Sequence, residues 1–522
     1  MSVGYEVGER VSATKELLAS EAANLICDGD VVAIAGSGGG ILESNRILKA
    51  IEVRFLTTGS PVGLTVIHAL GIGDAKELGL NHLAHEGLVK RVIGGHWSWS
   101  PRMQDLAMRD LIEAYALPAG VISGMLRESG AKRPGFITKV GLASFVDPRK
   151  SGGKLNSAAV DEIVELVEFQ GEEYLRYLPQ LVDIGIIRGS TADHSGNISF
   201  EEEPAFLDSF AVALAARGNG GLVFAQVKNI VSNGKIQPAA VHVPCTLSDY
   251  VIVDSTQAQT YQSAFNKNLI SPGESISIDN SNLLDLDCAK LVIARRASQE
   301  IAPGDVVNVG FGISSNVVDI LKAEDILSAV KLVIEQGPIG GIPVSGALFG
   351  VSEHPEAIIS STSQFDTFSA RIIDVAVLGM GELDVQGNVN VSKLGGKVIG
   401  PGGFIDIVHG AKKIVFCGTF STKGLEVNLL NSALEIKQEG LVRKVVANVE
   451  QVTFSASQAV IDGRRAIYIT ERAVFELNDI GIKLVEIAPG IDPVKDVLNL
   501  LPPGVDSRNW KFMPAQIFTE LE

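Results

Sequence analysis

Two hydrophobic patterns alternate along the chain: short, nearly continuous apolar runs that end in glycine-rich turns, and longer stretches in which apolar positions recur at helical spacing. The run Val31-Val32-Ala33-Ile34-Ala35 follows the turn Asp28-Gly29-Asp30, enters the loop Gly36-Ser37-Gly38 and leads to a helix bearing Ile47-Leu48-Lys49-Ala50. The same succession returns later as Pro303-Gly304-Asp305, Val306-Val307-Asn308-Val309, Gly310-Phe311-Gly312 and a helix bearing Ile320-Leu321-Lys322-Ala323. A second pair follows in the same order, Asp193-His194-Ser195-Gly196-Asn197-Ile198-Ser199 and Asp384-Val385-Gln386-Gly387-Asn388-Val389-Asn390. Both read as tight turns between short strands, with Gly-Asn supplying the positive φ. A third pair, Gly221-Leu222-Val223-Phe224-Ala225 and Lys413-Ile414-Val415-Phe416-Cys417, reads as a buried strand in each half.

Three matches in one order describe an internal repeat. The boundary falls near residues 280–295, where the polar run Asp279-Asn280-Ser281-Asn282 gives way to a helical pattern from Ala289 onward. The expected architecture is therefore α/β, with two related open domains at residues 1–285 and 286–522. Ligands of such sheets sit outside the carboxyl ends of the strands, so the glycine loops and the cleft between the halves form the expected site.

Length and composition fit this picture. A chain of 522 residues exceeds what one core serves, and 46% hydrophobic residues with 55 glycines suit buried strands and many tight turns. A formal charge of −17 argues against a protein that wraps nucleic acid or adheres to an anionic membrane, while leaving room for an anion held by local basic groups and helix-start amides. Cys27, Cys245, Cys288 and Cys417 are far apart, with no zinc or disulfide spacing. Glu6, Glu9, Arg10, Lys15 and Glu16 interrupt the first twenty residues, and no run approaches the length of a membrane span. The expectation is a soluble, cytoplasmic protein.

The candidate chemistry lies at Glu335. Leu332-Val333-Ile334 has strand character, and Glu335 follows it, before Gln336-Gly337-Pro338-Ile339-Gly340-Gly341. A carboxylate at the end of a buried strand, beside glycines that admit a ligand or another backbone, can attack a thioester once water is excluded. Backbone N–H groups of glycine loops can meet the developing oxyanion. Spacing alone leaves a second reading open, in which Glu335 closes a strand and Gly337, Gly340 and Gly341 serve only a turn.

The sequence resembles the family I coenzyme A transferases, in particular single-chain acyl coenzyme A transferases with fused α and β parts. The resemblance runs through Gly79-Leu80-Asn81-His82, Gly94-Gly95-His96-Trp97, Phe145-Val146-Asp147-Pro148-Arg149, Ile187-Arg188-Gly189-Ser190-Thr191-Ala192-Asp193, Glu335 to Gly341, Gln364-Phe365-Asp366 and Gly402-Gly403-Phe404-Ile405. It implies a fold of the NagB/RpiA/CoA transferase type with the active site between the two domains. It also implies that Glu335 forms an acyl anhydride and then a glutamyl thioester, with coenzyme A as a substrate and no tightly bound cofactor. Gly310, Phe311, Gly312, Gly402 and Gly403 would supply oxyanion and coenzyme A contacts. Gly36, Gly38, Ala119, Gln336, Gly337, Gly340 and Gly341 would line the substrate pocket. A homo-oligomer acting on an acyl-CoA and a carboxylic acid is the expected working form. A thioester hydrolase on the same scaffold and a non-catalytic binding homologue are the competing readings.

Several positions depart from the family pattern, among them an unusually glycine-rich first loop at Gly38-Gly39-Gly40. Asn-Leu-Pro-Gln-Gly is replaced by Ala116-Leu117-Pro118-Ala119-Gly120, a proline of the second glycine loop by Ser314, and a glycine run by the stretch at Ser369-Ala370-Arg371. They imply an acyl specificity different from that for propionate. Other motifs carry less. His82, His85 and His96 lack a characteristic ligand spacing, so packing or substrate-lining roles are expected and no metal. The loop at Gly36 has Ile41 where a dinucleotide fingerprint needs glycine, and no nucleophile elbow of a serine hydrolase is present.

Overall fold

The structure is a computed structural model that describes residues 15–273 and 286–519. The polar run at 279–282 and the residues before Lys15 lie outside the described residues. Contacts group the described residues into two units. The first holds the chain up to Pro272 with Glu335–Asp366 and Lys397–Asp406; the second holds Gly273–Ile334, Thr367–Gly396 and the chain from Ile407 onward.

In the first unit, eight strands form an all-parallel sheet. They are β1 (Lys15–Glu16), β2 (Val31–Ile34), β3 (Leu64–His68), β4 (Val89–Gly94), β5 (Glu113–Ala116), β6 (Ile184–Arg188), β7 (Leu222–Val227) and β8 (Tyr250–Val253). Their spatial order is β1-β8-β7-β6-β2-β3-β4-β5. Parallel sheets are covered on both faces, which is why the central strands are mostly apolar; every residue of β6 is buried. The helix α1 (Asn45–Thr58) turns Ile47, Leu48 and Ile51 inward and ends at Gly59, whose left-handed backbone donates its N–H to the Phe55 carbonyl. Two further helices of this unit are α2 (Ala119–Gly130) and α3 (Ser209–Gly218).

The strand β2 lies between β3, its successor in the chain, and β6, which arrives much later. Such a reversal is the switch point at which an open α/β sheet leaves a crevice, and the loop Gly36–Gly40 departs from it.

The second unit repeats this logic. Its strands are β9 (Val306–Val309), β10 (Lys331–Val333), β11 (Val375–Gly379), β12 (Lys413–Cys417), β13 (Arg465–Ile469), β14 (Ala473–Asn478), β15 (Gly481–Ile487) and β16 (Lys511–Phe512). They run in the order β10-β9-β11-β12-β13-β14-β15-β16, with β10 to β13 parallel and β14 and β15 joined as an antiparallel extension. Again the strand before the glycine loop, β9, sits at the reversal, and Gly310–Gly312 leave its carboxyl end. Helix α4 (Cys288–Ser298) begins one residue before Ala289, where Asp287 accepts the Lys290 N–H and caps it. α5 (Val317–Ala323) carries Ile320 to Ala323 as expected. Two more helices, α6 (Ser361–Ser369) and α7 (Phe404–Gly410), follow in the chain.

Among the described residues, no helix is long and apolar enough to cross a membrane.

Candidate active site

Beyond β10 the chain passes through Ile334 into Glu335, which belongs to the first unit. The glycine-rich run after it is a return turn. Pro338–Ile339 pair antiparallel with Ala357–Ile358, the Ile359 N–H donates to the Gly337 carbonyl at 3.1 Å and the Glu356 N–H to the Ile339 carbonyl at 2.9 Å. Gly340 and Gly341 lie in the same turn, against Glu356 and the Glu353 carbonyl. Gln336 is buried, and its amide Nε2 lies 3.3 Å from Glu335 Oε1.

A second glycine pair closes on the carboxylate. The Gly403 N–H donates to Glu335, and a Cβ built on Gly403 would lie 2.0 Å from Glu335 Oε2 and 3.0 Å from Phe365 Cε1. Only glycine lets this backbone approach the acid so closely. The segment is held in place from behind: the Gly402 N–H donates to the Gly95 carbonyl at 2.8 Å, and the Trp97 N–H to the Ile399 carbonyl at 2.8 Å. The motif Gly94-Gly95-His96-Trp97 thus acts as a bracket for residues 399–402.

The start of α2 meets the same segment. The Ala119 N–H donates to the Gly402 carbonyl at 2.8 Å, and the Gly120 N–H to Asp406 Oδ2 at 3.0 Å. A Cβ on Gly120 would sit 2.5 Å from Asp406 Oδ1 and 2.6 Å from Phe365 Cγ, so the Phe365 ring fills the space between Gly120 and Gly403. Ala119 is fully buried and presents only a methyl group.

Glu335, Gln336, Gly402, Gly403 and Ala119 therefore lie together in the first unit. Gly36 and Gly38 lie one layer out: Gly36 faces Ile72 and Glu43, Gly38 packs on the Trp99 indole, and Gly39 approaches the Ala347 carbonyl. The buried Arg188–Glu203 pair at the end of β6 steadies this loop, with Arg188 Nη1 donating to the Gly40 carbonyl at 3.1 Å. In the second unit, Gly310, Phe311 and Gly312 form the loop after β9, and Phe311 is 57% exposed. Ser314 replaces the family's proline by a hydroxyl that donates to the Gly310 carbonyl at 2.9 Å, which ties the loop by a hydrogen bond instead of a ring. Ala370 is an exposed residue just past α6.

Asp406 and the role of Phe365 escaped sequence reasoning. Asp406 stands three residues after Gly403, in the first turn of α7, and is 3% exposed. An acid in a first helical turn reads locally as an ordinary favourable end charge; its partner Gly120 is 286 residues away.

The electrostatics of this cluster are set by burial. Although Glu335 as a residue is only half-buried, its carboxyl is enclosed, and burial pushes it up to about 7 against the Gly403 N–H and the Gln336 amide, which both favour the charged form. Asp406 is raised well above the usual carboxylate range, first by burial and further by the charge on Glu335, against the Gly120 N–H. Burial also holds His96 and His68 down at about 4, so both rings are neutral near pH 7. The site offers one carboxylate, backbone donors and apolar walls, an arrangement suited to acyl transfer through a covalent intermediate. His82 and His85 both turn to Glu52, at 2.7 and 2.8 Å. Among the described residues, no group of His, Cys, Asp and Glu is disposed to hold a metal.

Comparison with known proteins gives concordant likenesses. Residues 15–254 match the family profile described as Coenzyme A transferase. The chain is 41% identical to acetate CoA-transferase YdiF of Escherichia coli O157:H7 over 505 residues, 97% of this chain and 95% of that protein. It is 42% identical to the caffeate CoA-transferase of Acetobacterium woodii over 521 residues, 97% of this chain and 98% of that one. The crystal structure of the E. coli O157:H7 acyl-CoA transferase as a thioester complex with CoA aligns with a TM-score of 0.91 at 39% identity, covering 97% of this chain and 96% of that chain.

Proposed function

Since the chain belongs to the coenzyme A transferase family and is an acyl-CoA transferase, we propose that it works by ping-pong chemistry with Glu335 as the nucleophile. The observation that carries this reading is the enclosed Glu335 carboxylate in hydrogen-bond contact with the Gly403 N–H, at a position where no side chain fits.

The Glu335 carboxylate oxygen attacks the thioester carbonyl, the C–S bond breaks, and coenzyme A leaves as thiolate from an acyl–glutamyl anhydride. The thiolate then attacks the γ-carbonyl of Glu335, releasing the first acid as carboxylate and leaving a glutamyl thioester. An incoming carboxylate attacks that thioester carbonyl, regenerates the thiolate and forms a new anhydride. Attack of the thiolate on the acyl carbonyl of this anhydride yields the new acyl-CoA and frees Glu335. Each step moves one electron pair and returns the protein unchanged.

In this mechanism Gly403, with Gly402, supplies amide donors to the oxyanions, and Gln336 keeps the carboxylate in line. Neutral His96 adds no cation that would quench the nucleophile. Ala119 and the Phe365 ring form an apolar wall beside Gly120 and Gly403, which favours an acyl group larger or more apolar than propionate. Of two relatives, one is named for acetate, smaller than propionate, and the other for the larger caffeate.

Initial rates measured against both substrates test the reading. Parallel double-reciprocal lines and loss of at least about 10³-fold in kcat for Glu335→Gln are expected, whereas intersecting lines or an active variant would overturn it.

A further inference from the structure

Residues 402–406 make contacts on two sides. One side carries the Gly403 N–H to Glu335; the other meets the start of α2. Pro118, in the cap position of α2, provides no side-chain acceptor for the orphan amides of the first turn. Those of Ala119 and Gly120 are satisfied instead by the Gly402 carbonyl and the Asp406 carboxyl. Asp406 therefore caps a helix to which it is not joined, and the capped helix in turn braces the loop that reaches the nucleophile.

Resting on the assignment of Glu335 above, we infer that Asp406 is a positioning residue of the transfer reaction: by accepting the Gly120 N–H it locks the Gly402–Gly403 loop to the start of α2 and so keeps the Gly403 amide aimed at Glu335. The bond is buried, and the Phe365 ring packs so close to Gly120 that a Cβ there would meet both it and Asp406. The charged and titratable groups that face Asp406 are Glu335 and Tyr177, the latter donating its hydroxyl to the Val140 carbonyl at 2.8 Å. Burial and the charge on Glu335 both raise Asp406 above the usual carboxylate range, which favours negative charge on the nucleophile over Asp406. Two enclosed acids close together cannot both ionise without cost.

The test compares Asp406→Ala and Asp406→Asn in the full chain, reading kcat, KM for acyl-CoA, the pH profile and the rate at which Glu335 becomes reducible by borohydride after acyl-CoA is added. Asp406→Ala is expected to lower kcat about 10²-fold with KM changed by less than about threefold, the pattern of a lost transition-state donor. Asp406→Asn, whose amide oxygen can still accept the Gly120 N–H, is expected to return kcat to within about fivefold of wild type and to leave the acidic limb near its original pH. Asp406→Ser, too short to reach Gly120, replaces the alanine variant if that one does not fold. Wild-type turnover in a folded Asp406→Ala or Asp406→Ser protein, or an asparagine variant as slow as alanine, overturns the positioning role. Labelling of Glu335 in Asp406→Ala at the wild-type rate also overturns it and leaves the nucleophile intact. An active wild type with no label at Glu335 instead defeats the assignment on which it rests.

Discussion

At the scale of single residues, the proposed chemistry depends on how a weak nucleophile is made useful near neutral pH. Burial alone would raise Glu335 until it was protonated and inert; the Gly403 N–H and the Gln336 amide pull it back to about 7. Only the carboxylate attacks, so the reactive fraction grows as pH rises through that value. We expect kcat/KM to climb about tenfold per pH unit below about 6 and to level off above about 8. A profile flat between pH 5 and 8, measured with substrates that do not titrate there, would contradict the assignment. The sequence made Glu335 conspicuous as a charged residue between an apolar run and a glycine turn, yet it could not separate a nucleophile from a strand-closing polar residue. That distinction depends on Gly403, far along the chain, reaching the carboxylate in space.

At the scale of elements, the parts with strong local codes were readable. Lys413–Cys417 forms β12 with the bounds its apolar run suggests, and the Gly-Asn turns show positive φ at Gly196 and Gly387, while the asparagines do not. The contacts between elements were not readable, because nothing near Ala119 announces the Gly402 carbonyl and nothing near Asp406 announces Gly120. The start of α2 also bears on acyl specificity. Ala119 places a buried methyl group where the family carries a glutamine, beside the Phe365 wall. Restoring the side chain in Ala119→Gln should lower kcat/KM for bulky acyl-CoA about tenfold relative to acetyl-CoA or propionyl-CoA, a size effect of the order seen for tight apolar pockets. Competition assays over an acyl-CoA panel measure the ratio; an unchanged ratio would remove Ala119 from the specificity argument, and a wild-type preference for acetate and propionate would remove the argument itself.

At the scale of the whole molecule, the repeat seen in the sequence has a topological meaning. In each unit the strand before the glycine loop, β2 or β9, occupies the reversal of a parallel sheet, so the repeated motif marks the same structural address twice. The sequence pairs revealed the duplication because buried parallel strands tolerate few substitutions other than apolar ones, while the extension that adds antiparallel β14 and β15 and then β16 has no counterpart in the first unit and left no repeat to find. In the proposed mechanism a net charge of −17 is compatible with an anionic substrate, because amides and one carboxylate would carry the chemistry in place of a basic surface. The central claim is that coenzyme A passes through a thioester on Glu335. It is tested most directly by mixing the protein with acyl-CoA in the absence of acceptor, reducing with borohydride, and locating the modification by peptide mass. The account predicts a reduced side chain at Glu335, formed within one turnover and absent when acyl-CoA is omitted; an unmodified Glu335 in an actively transferring preparation, or a label on another residue, would contradict it.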